Sequence, residues 1–415
     1  MIMTDVNTKL RSYEYSEVQT FFSESKKTVV DIISTPNGHV VPRYINEFWT
    51  SKQRQANSIH EISYRACFKP QLPRFFIEWL TKPGDIVFDP FTGRGTTIIE
   101  AALLGRNIIS NDINPLSKIL CKSRLYIPSI DEVTNRLAVI PIEKDLVSDI
   151  DLSMFYHQET LVEILALKNY LISRNINNQE DYIDSWIRMV ATNRLTGHSK
   201  GFFSVYTLPP NQALLPQKQI KINEQKNQVP VYRNTKKLII NKSRDLLKNI
   251  TKQNIEQLKI VGEKALFLTT DADQLIEIKL ETVQLTVTSP PFLDIVQYAD
   301  DNWLRCWFND INANDVSKNI TMSKTIDQWV DKMKGVFQKL YRITKKNGYV
   351  AFEVGEIRKG KIRLDEYVVD IGYSVGFDCE GIMINEQTFT KTSNIWGVSN
   401  NKFGTNSNRI VIFRK

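Results

Sequence analysis

The chain has 415 residues, 42% of them hydrophobic and 24% charged, with a net charge of +8. That length and apolar content suit one large core-forming domain with an insertion, or two domains. No apolar run approaches the roughly 18–20 residues of a membrane span, and the first residues contain no apolar signal region. Four scattered cysteines, Cys67, Cys121, Cys306 and Cys379, form no CxxC. That excludes a disulfide framework or zinc knuckle and makes a reducing, cytoplasmic setting the expectation.

In chain order, residues 1–60 are mixed and polar and read as an N-terminal cap or arm. Pro73 opens a helix to Lys82, with Phe75, Phe76, Trp79 and Leu80 on one apolar face. Pro83-Gly84-Asp85 is a turn. Ile86-Val87-Phe88 reads as a short buried strand, Thr96 to Leu104 as a helix stopped by Gly105, and Asn107 to Ser110 as the next strand. Strand, helix and strand joined by short turns make a parallel βαβ unit. Its strands do not alternate, as expected when helices cover both faces. Helices are expected over Gln158 to Arg174, Glu180 to Arg194 and roughly Thr235 to Leu258, with a proline-bearing loop from Gly201 to Pro210. Short strands resume at Ala265 to Leu268, Val283 to Val287 and Tyr349 to Val354. The last follows a helix from Ile326 to Leu340 and a turn at Lys345 to Gly348. The fold class is therefore α/β, a doubly wound, mostly parallel sheet with a large helical, basic insertion. The segments are 1–60, a cap or arm; 61–125, the first part of the sheet domain; 126–262, the insertion; and 263–415, the second part.

Two strand ends carry chemistry. Asp89-Pro90-Phe91-Thr92-Gly93-Arg94-Gly95-Thr96-Thr97 runs from a strand through a glycine turn into a helix. Ligands of open parallel sheets bind outside the carboxyl ends of the strands. Gly93 and Gly95 let the backbone come close, and the amides opening the next helix face an anionic group. Asp112 ends the following strand, where a carboxylate accepts from both hydroxyls of a ribose; it also reads as an N-cap. The third strand ends at Asp271-Ala272-Asp273, and Asp271, ahead of Asp273, is placed to receive an amino group. The other motif is Thr288-Ser289-Pro290-Pro291-Phe292. Ser289 offers a hydroxyl and Pro290 a main-chain carbonyl. Proline fixes φ and lacks an N–H, so the turn is stiff and its carbonyls need not serve a ladder. Phe292 supplies a flat face for stacking. Two acceptors that hold the hydrogens of an exocyclic amine out of the ring plane localise its lone pair. Group transfer to that nitrogen then needs mainly positioning and electrostatic preorganisation.

Together these motifs resemble the signature of the DNA amino-methyltransferases, which use S-adenosylmethionine. Ser-Pro-Pro-Phe in place of Asp-Pro-Pro-Tyr resembles the N4-cytosine branch. Phe68-Lys69-Pro70-Gln71-Leu72-Pro73 resembles the family's motif ahead of the glycine loop, and Gln297 to Arg305 also resembles family sequence. The resemblance spans about 60–125 and 262–355. It implies a Rossmann-like class I methyltransferase fold and an S-adenosyl-L-methionine site lined by Lys69, Pro70, Asp89, Phe91, Gly93, Gly95, Thr96 and Asp112. Asp271 or Asp273 would take the adenine amine. Ser289, Pro290, Pro291 and Phe292 would act on a base flipped out of double-stranded DNA. The biological role implied is the modification enzyme of a restriction-modification system, beside a cognate restriction endonuclease. Membrane and metal are not expected as partners, since His39, His60, His157 and His198 are dispersed. Arg94 stands where the family often has Ser, Phe292 replaces the commoner Tyr, and the insertion leaves the motif-order class open. N6-adenine DNA methylation and RNA base methylation are the alternatives.

Charge points to the nucleic-acid path. Between Lys200 and Lys259 twelve basic and three acidic residues give +9, leaving −1 for the remainder. A basic block on a near-neutral body suits a nucleic-acid partner, and a solvated Lys-rich insertion is the plain alternative. Lys200, Arg233, Lys236, Lys237, Lys242 and Arg244 are the candidate phosphate contacts. Lys391 to Lys415, with five basic residues and no acid, is a second candidate surface. Phe202 to Tyr206 and Thr392 to Asn408 are candidates for base readout. Tyr298 and Trp303 are candidates to flank the base pocket, with core packing the stronger reading for Trp303.

Overall fold

The computed structural model describes residues 5–15, 26–49, 56–64, 67–143, 145–208, 213–291, 298–319, 323, 325–357, 362–386 and 407–415. Nine strands form the central sheet: β1 (Val29–Ser34), β2 (Val40–Asn46), β3 (Ile86–Asp89), β4 (Asn107–Asn111), β5 (Leu266–Leu268), β6 (Val283–Thr288), β7 (Thr344–Val354), β8 (Asp378–Glu386) and β9 (Ser407–Arg414). Their spatial order is β1-β2-β8-β9-β7-β6-β3-β4-β5. The run β7-β6-β3-β4-β5 is parallel throughout. β9 is antiparallel to both β7 and β8, β2 is parallel to β8, and β1 is antiparallel to β2.

Residues that alternate along the central strands enter two separate apolar layers. Val87, Ile108, Leu285, Val287 and Ala351 face one layer, and Phe88, Ile109, Val350, Phe352 and Val354 face the other. Both faces are covered, so the strands read as unbroken apolar runs rather than as alternating ones. The first layer is closed by α1 (Gln71–Leu80), α2 (Thr96–Leu103) and α3 (Leu116–Lys122). The insertion helices α4 (Ile130–Val139), α5 (Gln158–Ile176), α6 (Tyr182–Arg194), α7 (Pro216–Lys226), α8 (Thr235–Leu247) and α9 (Lys252–Gly262) pack on that same layer. α10 (Tyr298–Phe308) adds Leu304 and Phe308. The second layer is closed by α11 (Ile326–Ile343) and α12 (Leu364–Val375). On α11 the buried Trp329, Met333, Val336, Phe337 and Leu340 recur at three- and four-residue steps, one stripe of a helix.

Several elements depart from their sequence-based bounds. α1 starts at Gln71, with Pro70 as its N-cap, so Pro73 falls inside the first turn, where a missing N–H costs little. The helix expected over Thr235 to Leu258 is two helices, because Thr251 and Asn254 form a capping box that starts α9. β7 begins at Thr344, and the expected turn survives as a positive φ of 61° at Asn347 within it. Residues 29–46, expected only as part of a cap or arm, extend the sheet as β1 and β2. The antiparallel pair β8 and β9 was not anticipated. The insertion helices share a core with the sheet: the fully buried Trp186 belongs to the same apolar cluster as Val87, Ile108 and Leu285. Among the described residues no helix is long and apolar enough to cross a membrane.

Phe337 lies within 4.8 Å of Phe352, 5.4 Å of Phe413 and 6.2 Å of Phe377, ring centre to ring centre. Truncating it leaves a cavity where α11 meets two strands. Phe337→Ala should cost about 3–5 kcal/mol, read as a lowered urea midpoint at unchanged slope.

Candidate active site

Because β7, β6, β3, β4 and β5 are parallel, their carboxyl ends share one edge of the sheet, and the two motifs meet there. β3 pairs with β6, Phe88 opposite Thr286. Asp89 ends β3 and is 2% exposed. Its Oδ1 accepts from the Phe91 amide at 3.1 Å and from the Thr288 hydroxyl at 2.6 Å. Thr97, at the start of α2, donates to the Val287 carbonyl at 3.1 Å. The strand end that leads into the Ser-Pro-Pro turn is thus hydrogen-bonded to both ends of the glycine-loop motif.

The glycine loop turns through left-handed conformations at Gly93 (φ 54°) and Gly95 (φ 82°). A Cβ on Gly95 would collide with Cys121 Sγ. The Gly93 amide donates to Asp112 Oδ2 at 2.7 Å, and the Asn114 amide donates to Asp112 Oδ1 at 2.9 Å. Asp112 therefore orients the loop and caps the following turn, while each oxygen keeps a further acceptor site. Phe91 is half-buried against the second layer and Thr96 is buried. Pro70 is buried and Lys69 exposed at the start of α1. Arg94 braces the loop by donating to Thr96 Oγ1 at 3.1 Å and to the Ile62 carbonyl at 2.9 Å.

Beyond β5, Asp271 Oδ2 and Asp273 Oδ2 both pair with Lys332 Nζ, at 2.6 and 2.7 Å. Asp273 Oδ1 is buried without a hydrogen-bond partner among the described residues. The buried open acceptor is on Asp273, and Asp271, placed first from the sequence, likewise pairs with Lys332 through only one of its oxygens. Asn111, fully buried at the end of β4, was missed as a site residue. Its Nδ2 donates to the carbonyls of Pro90 at 3.1 Å and Thr270 at 3.0 Å, and its Oδ1 accepts from the Thr270 amide at 3.1 Å. It joins the Asp89 and Asp271 loops.

In the second motif Ser289 is half-buried and Pro290 buried. Trp329 Nε1 donates to the Pro291 carbonyl at 3.1 Å, and no described residue donates to the Pro290 carbonyl. Glu353 of β7, a residue the sequence reading passed over, follows Phe352, which pairs with Thr288 beside Ser289. Burial pushes the Glu353 carboxyl above its usual range, opposed by the donors Ser289 and Asn408. Phe292 and Gln297 lie outside the described residues, as does the side chain of Tyr298. Trp303 packs in the core, its ring 6.1 Å from Phe155 and its Nε1 donating to the Leu214 carbonyl at 3.2 Å. Among the described residues no group of His, Cys, Asp and Glu could hold a metal ion.

The candidate nucleic-acid contacts divide. Lys200, Lys237 and Arg244 are exposed and Arg233 is half-buried. Lys242 is only 8% exposed, and Lys236 Nζ donates to the Ile140 carbonyl at 2.7 Å. These two belong to the packing of α8, a correction to the reading from charge alone. Phe202, Phe203, Ser204 and Val205 are buried, with the Phe203 amide bonded to the Arg194 carbonyl at 2.9 Å, so this stretch is a packed loop and not a free reading surface. Of Thr392 to Asn408, only Ser407 and Asn408 are described, at the start of β9.

Residues 5–119 match the family model for DNA methylases of the N6/N4 type. That span holds the glycine loop and Asp112; Ser289 lies beyond it. Two relatives are type II methyltransferases: M.MjaII of Methanocaldococcus jannaschii, 34% identical over 76 residues, and M.BsoBI of Geobacillus stearothermophilus, 43% identical over 79 residues. Each match covers 18% of this chain and 14% or 15% of the relative. A third, the tRNA (guanine(10)-N2)-dimethyltransferase of M. jannaschii, is 29% identical over 107 residues, 22% of this chain and 30% of the relative. The chain thus matches under a third of the length of each. Part of the chain is thus similar to a DNA methylase family model and to two type II methyltransferases.

Burial drives Asp89 up to about 7 and Asp112 up to about 6, from an ordinary value of 3.8. A carboxyl raised in the folded state binds its proton more tightly there than when unfolded. Stability therefore falls as pH rises from about 4 to about 7. Asp89→Asn should remove its share, so urea midpoints between about pH 5 and 7.5 should drop less in the variant than in the wild type. Parallel pH profiles would show that Asp89 is already ionised in the folded protein.

Proposed function

We propose that this chain is a DNA methyltransferase that moves a methyl group from S-adenosyl-L-methionine to the N4 amine of a flipped-out cytosine, as the modification arm of a restriction-modification system. The observation that carries the reading is the junction of the two loops: Thr288 to Asp89 at 2.6 Å and Thr97 to Val287 at 3.1 Å. On this reading the junction brings a cofactor cradle beside an amine-holding turn.

The residues present fit that cofactor. The cradle opened by Gly93 and Gly95 admits a ligand close to the backbone, and the start of α2 offers amides to a carboxylate. Asp112 retains acceptor sites for ribose hydroxyls. The unpartnered, buried Asp273 Oδ1 suits an amino donor such as that of adenine. When bound, S-adenosyl-L-methionine supplies an electrophilic methyl on a sulfonium. Ser289 Oγ and the Pro290 carbonyl hold the two amine hydrogens, which directs the nitrogen lone pair out of conjugation. Held this way, the nitrogen would face the methyl that the cofactor supplies. One amine proton then leaves to solvent. Serine in place of an acid at position 289 favours cytosine over adenine. The limited likeness to a tRNA guanine methyltransferase makes RNA the second substrate to test.

Nucleosides from DNA and tRNA treated with the protein and labelled cofactor should show N4-methyldeoxycytidine. N6-methyldeoxyadenosine would move the reading to the other amine, and N2-methylguanosine in tRNA would end the DNA assignment. Ser289→Ala should lower kcat while the dissociation constant of the cofactor stays within about twofold, because a contact made chiefly in the transition state is lost. Wild-type turnover in that variant removes Ser289 from the mechanism.

We also propose that the exposed basic residues Lys200, Lys237 and Arg244 contact the phosphate backbone. Each lost contact should reduce the slope of log K against log salt by about 0.9. Lys237→Gln with Arg244→Gln should flatten the slope and leave the preferred sequence unchanged. An unaltered slope would move the DNA path away from α8.

A further inference from the structure

The Ser-Pro-Pro turn is stiff, and it is tied down at both ends. Both proline rings lock φ. Ser289 and Pro290 each precede a proline, which confines their ψ to extended values. The least restricted dihedral of the turn is therefore ψ of Pro291, and that angle orients the Pro291 carbonyl. At the near end, the Thr288 hydroxyl donates to Asp89 Oδ1 at 2.6 Å. At the far end, Trp329 Nε1 donates to the Pro291 carbonyl at 3.1 Å. The carbonyl of Pro290 lies between these two anchors. A stiff segment pinned at both ends cannot roll about its own axis, so that carbonyl is held in one direction.

The second anchor is itself fixed. Trp329 is 2% exposed and packs in the second apolar layer with Met333 and Val336. It lies in the first turn of α11, where the Thr325 hydroxyl caps the Gln328 amide at 3.2 Å. One turn further on, Lys332 Nζ pairs with Asp271 and Asp273 at 2.6 and 2.7 Å. Gly335 then lets α11 come close to that loop, since a Cβ there would lie 3.2 Å from the Cβ of Asp273. The start of α11 is thus registered against the sheet edge at two loops, and the indole is carried on a helix that cannot slide. A buried indole N–H needs an acceptor; the acceptor taken here is the backbone of the turn.

Resting on the base-methylation reading above, we propose that Trp329 is a positioning residue for the amine-holding turn. It acts through the Pro291 carbonyl and touches neither base nor cofactor. By fixing the far end of the turn it aims the Pro290 carbonyl at the amine that is to be methylated.

Trp329→Phe removes the donor and keeps an aromatic ring. Trp329→benzothienylalanine, with sulfur in place of the N–H, removes the donor at nearly constant shape and serves where phenylalanine unfolds the chain. Val336→Ala, in the same core stripe but without a bond to the turn, is the packing control. The substrate is the duplex whose methylated position has been mapped with the wild-type protein. In both Trp329 variants kcat should fall by about 10- to 100-fold, the scale of a reacting group held slightly out of place. KM for the duplex and the dissociation constant of the cofactor should change less than about twofold. Val336→Ala should lower the melting temperature and leave kcat near the wild-type value. Wild-type kcat in the Trp329 variants would overturn the proposal. So would an equal fall of kcat in Val336→Ala, or a fall in the Trp329 variants matched by lost cofactor affinity, since either marks a merely structural residue. A wild-type protein that methylates no nucleic acid would overturn the functional reading and this inference with it; a methylating wild type with indifferent Trp329 variants would overturn this inference alone.

Discussion

The arrangement depends on one buried carboxylate. Asp89 sits where two parallel strands end, and it is satisfied by a hydroxyl from one loop and an amide from the other. A desolvated acceptor of this kind is costly to leave unmade, more so than its net contribution when satisfied. Sliding the Ser-Pro-Pro loop away from the glycine loop would strand it. The spacing between the glycine loop and the Ser-Pro-Pro turn is therefore enforced by the same interaction that closes the sheet edge. Asn111 repeats the device one strand further on, tying the Asp89 loop to the Asp271 loop with four hydrogen bonds.

The local features of this edge were readable from sequence. Asp89 through Thr97 announces itself by an apolar run, two glycines and a helix start, all within nine residues. Ser289-Pro290-Pro291 does the same with a strand and two prolines. What could not be read is whatever depends on pairing between distant strands. Glu353 lies 64 positions beyond Ser289 in an unremarkable stretch, Phe-Glu-Val, and becomes its neighbour only through the β6–β7 register. Lys332 meets Asp271 and Asp273 through the packing of α11 under the sheet edge. The strands β1 and β2 were invisible because Val29, Ile32 and Val40 point outward at an edge, which blurs the apolar pattern of a buried strand.

Charge counting overstated the free basic surface for a related reason. A tally of lysines and arginines assumes that each faces water, yet Lys242 is buried and Lys236 caps the end of α4 through the Ile140 carbonyl. Arg124 goes further: fully buried, it donates to the carbonyls of Leu120, Ile59 and Arg94, and so holds the glycine loop from behind. Guanidinium groups suit this use because their planar fork serves several carbonyls at once. Part of the basic excess is thus architecture, and only the remainder is available to a polyanion.

The placement of β2 has a consequence for how the chain comes to be folded. Its neighbour β8 begins more than three hundred residues later, and β8 needs β9, later still, to join the rest of the sheet. On a ribosome adding about 5–20 residues per second, the first hairpin waits tens of seconds before its pairing partner exists. Throughout that wait Val41 and Tyr44, fully buried at the end, lack β8, and only the N-terminal Asn7 and Arg11 can reach Tyr44. The earliest strands made are among the last to be sealed, so an interrupted translation product would display an open, sticky sheet edge to quality-control chaperones.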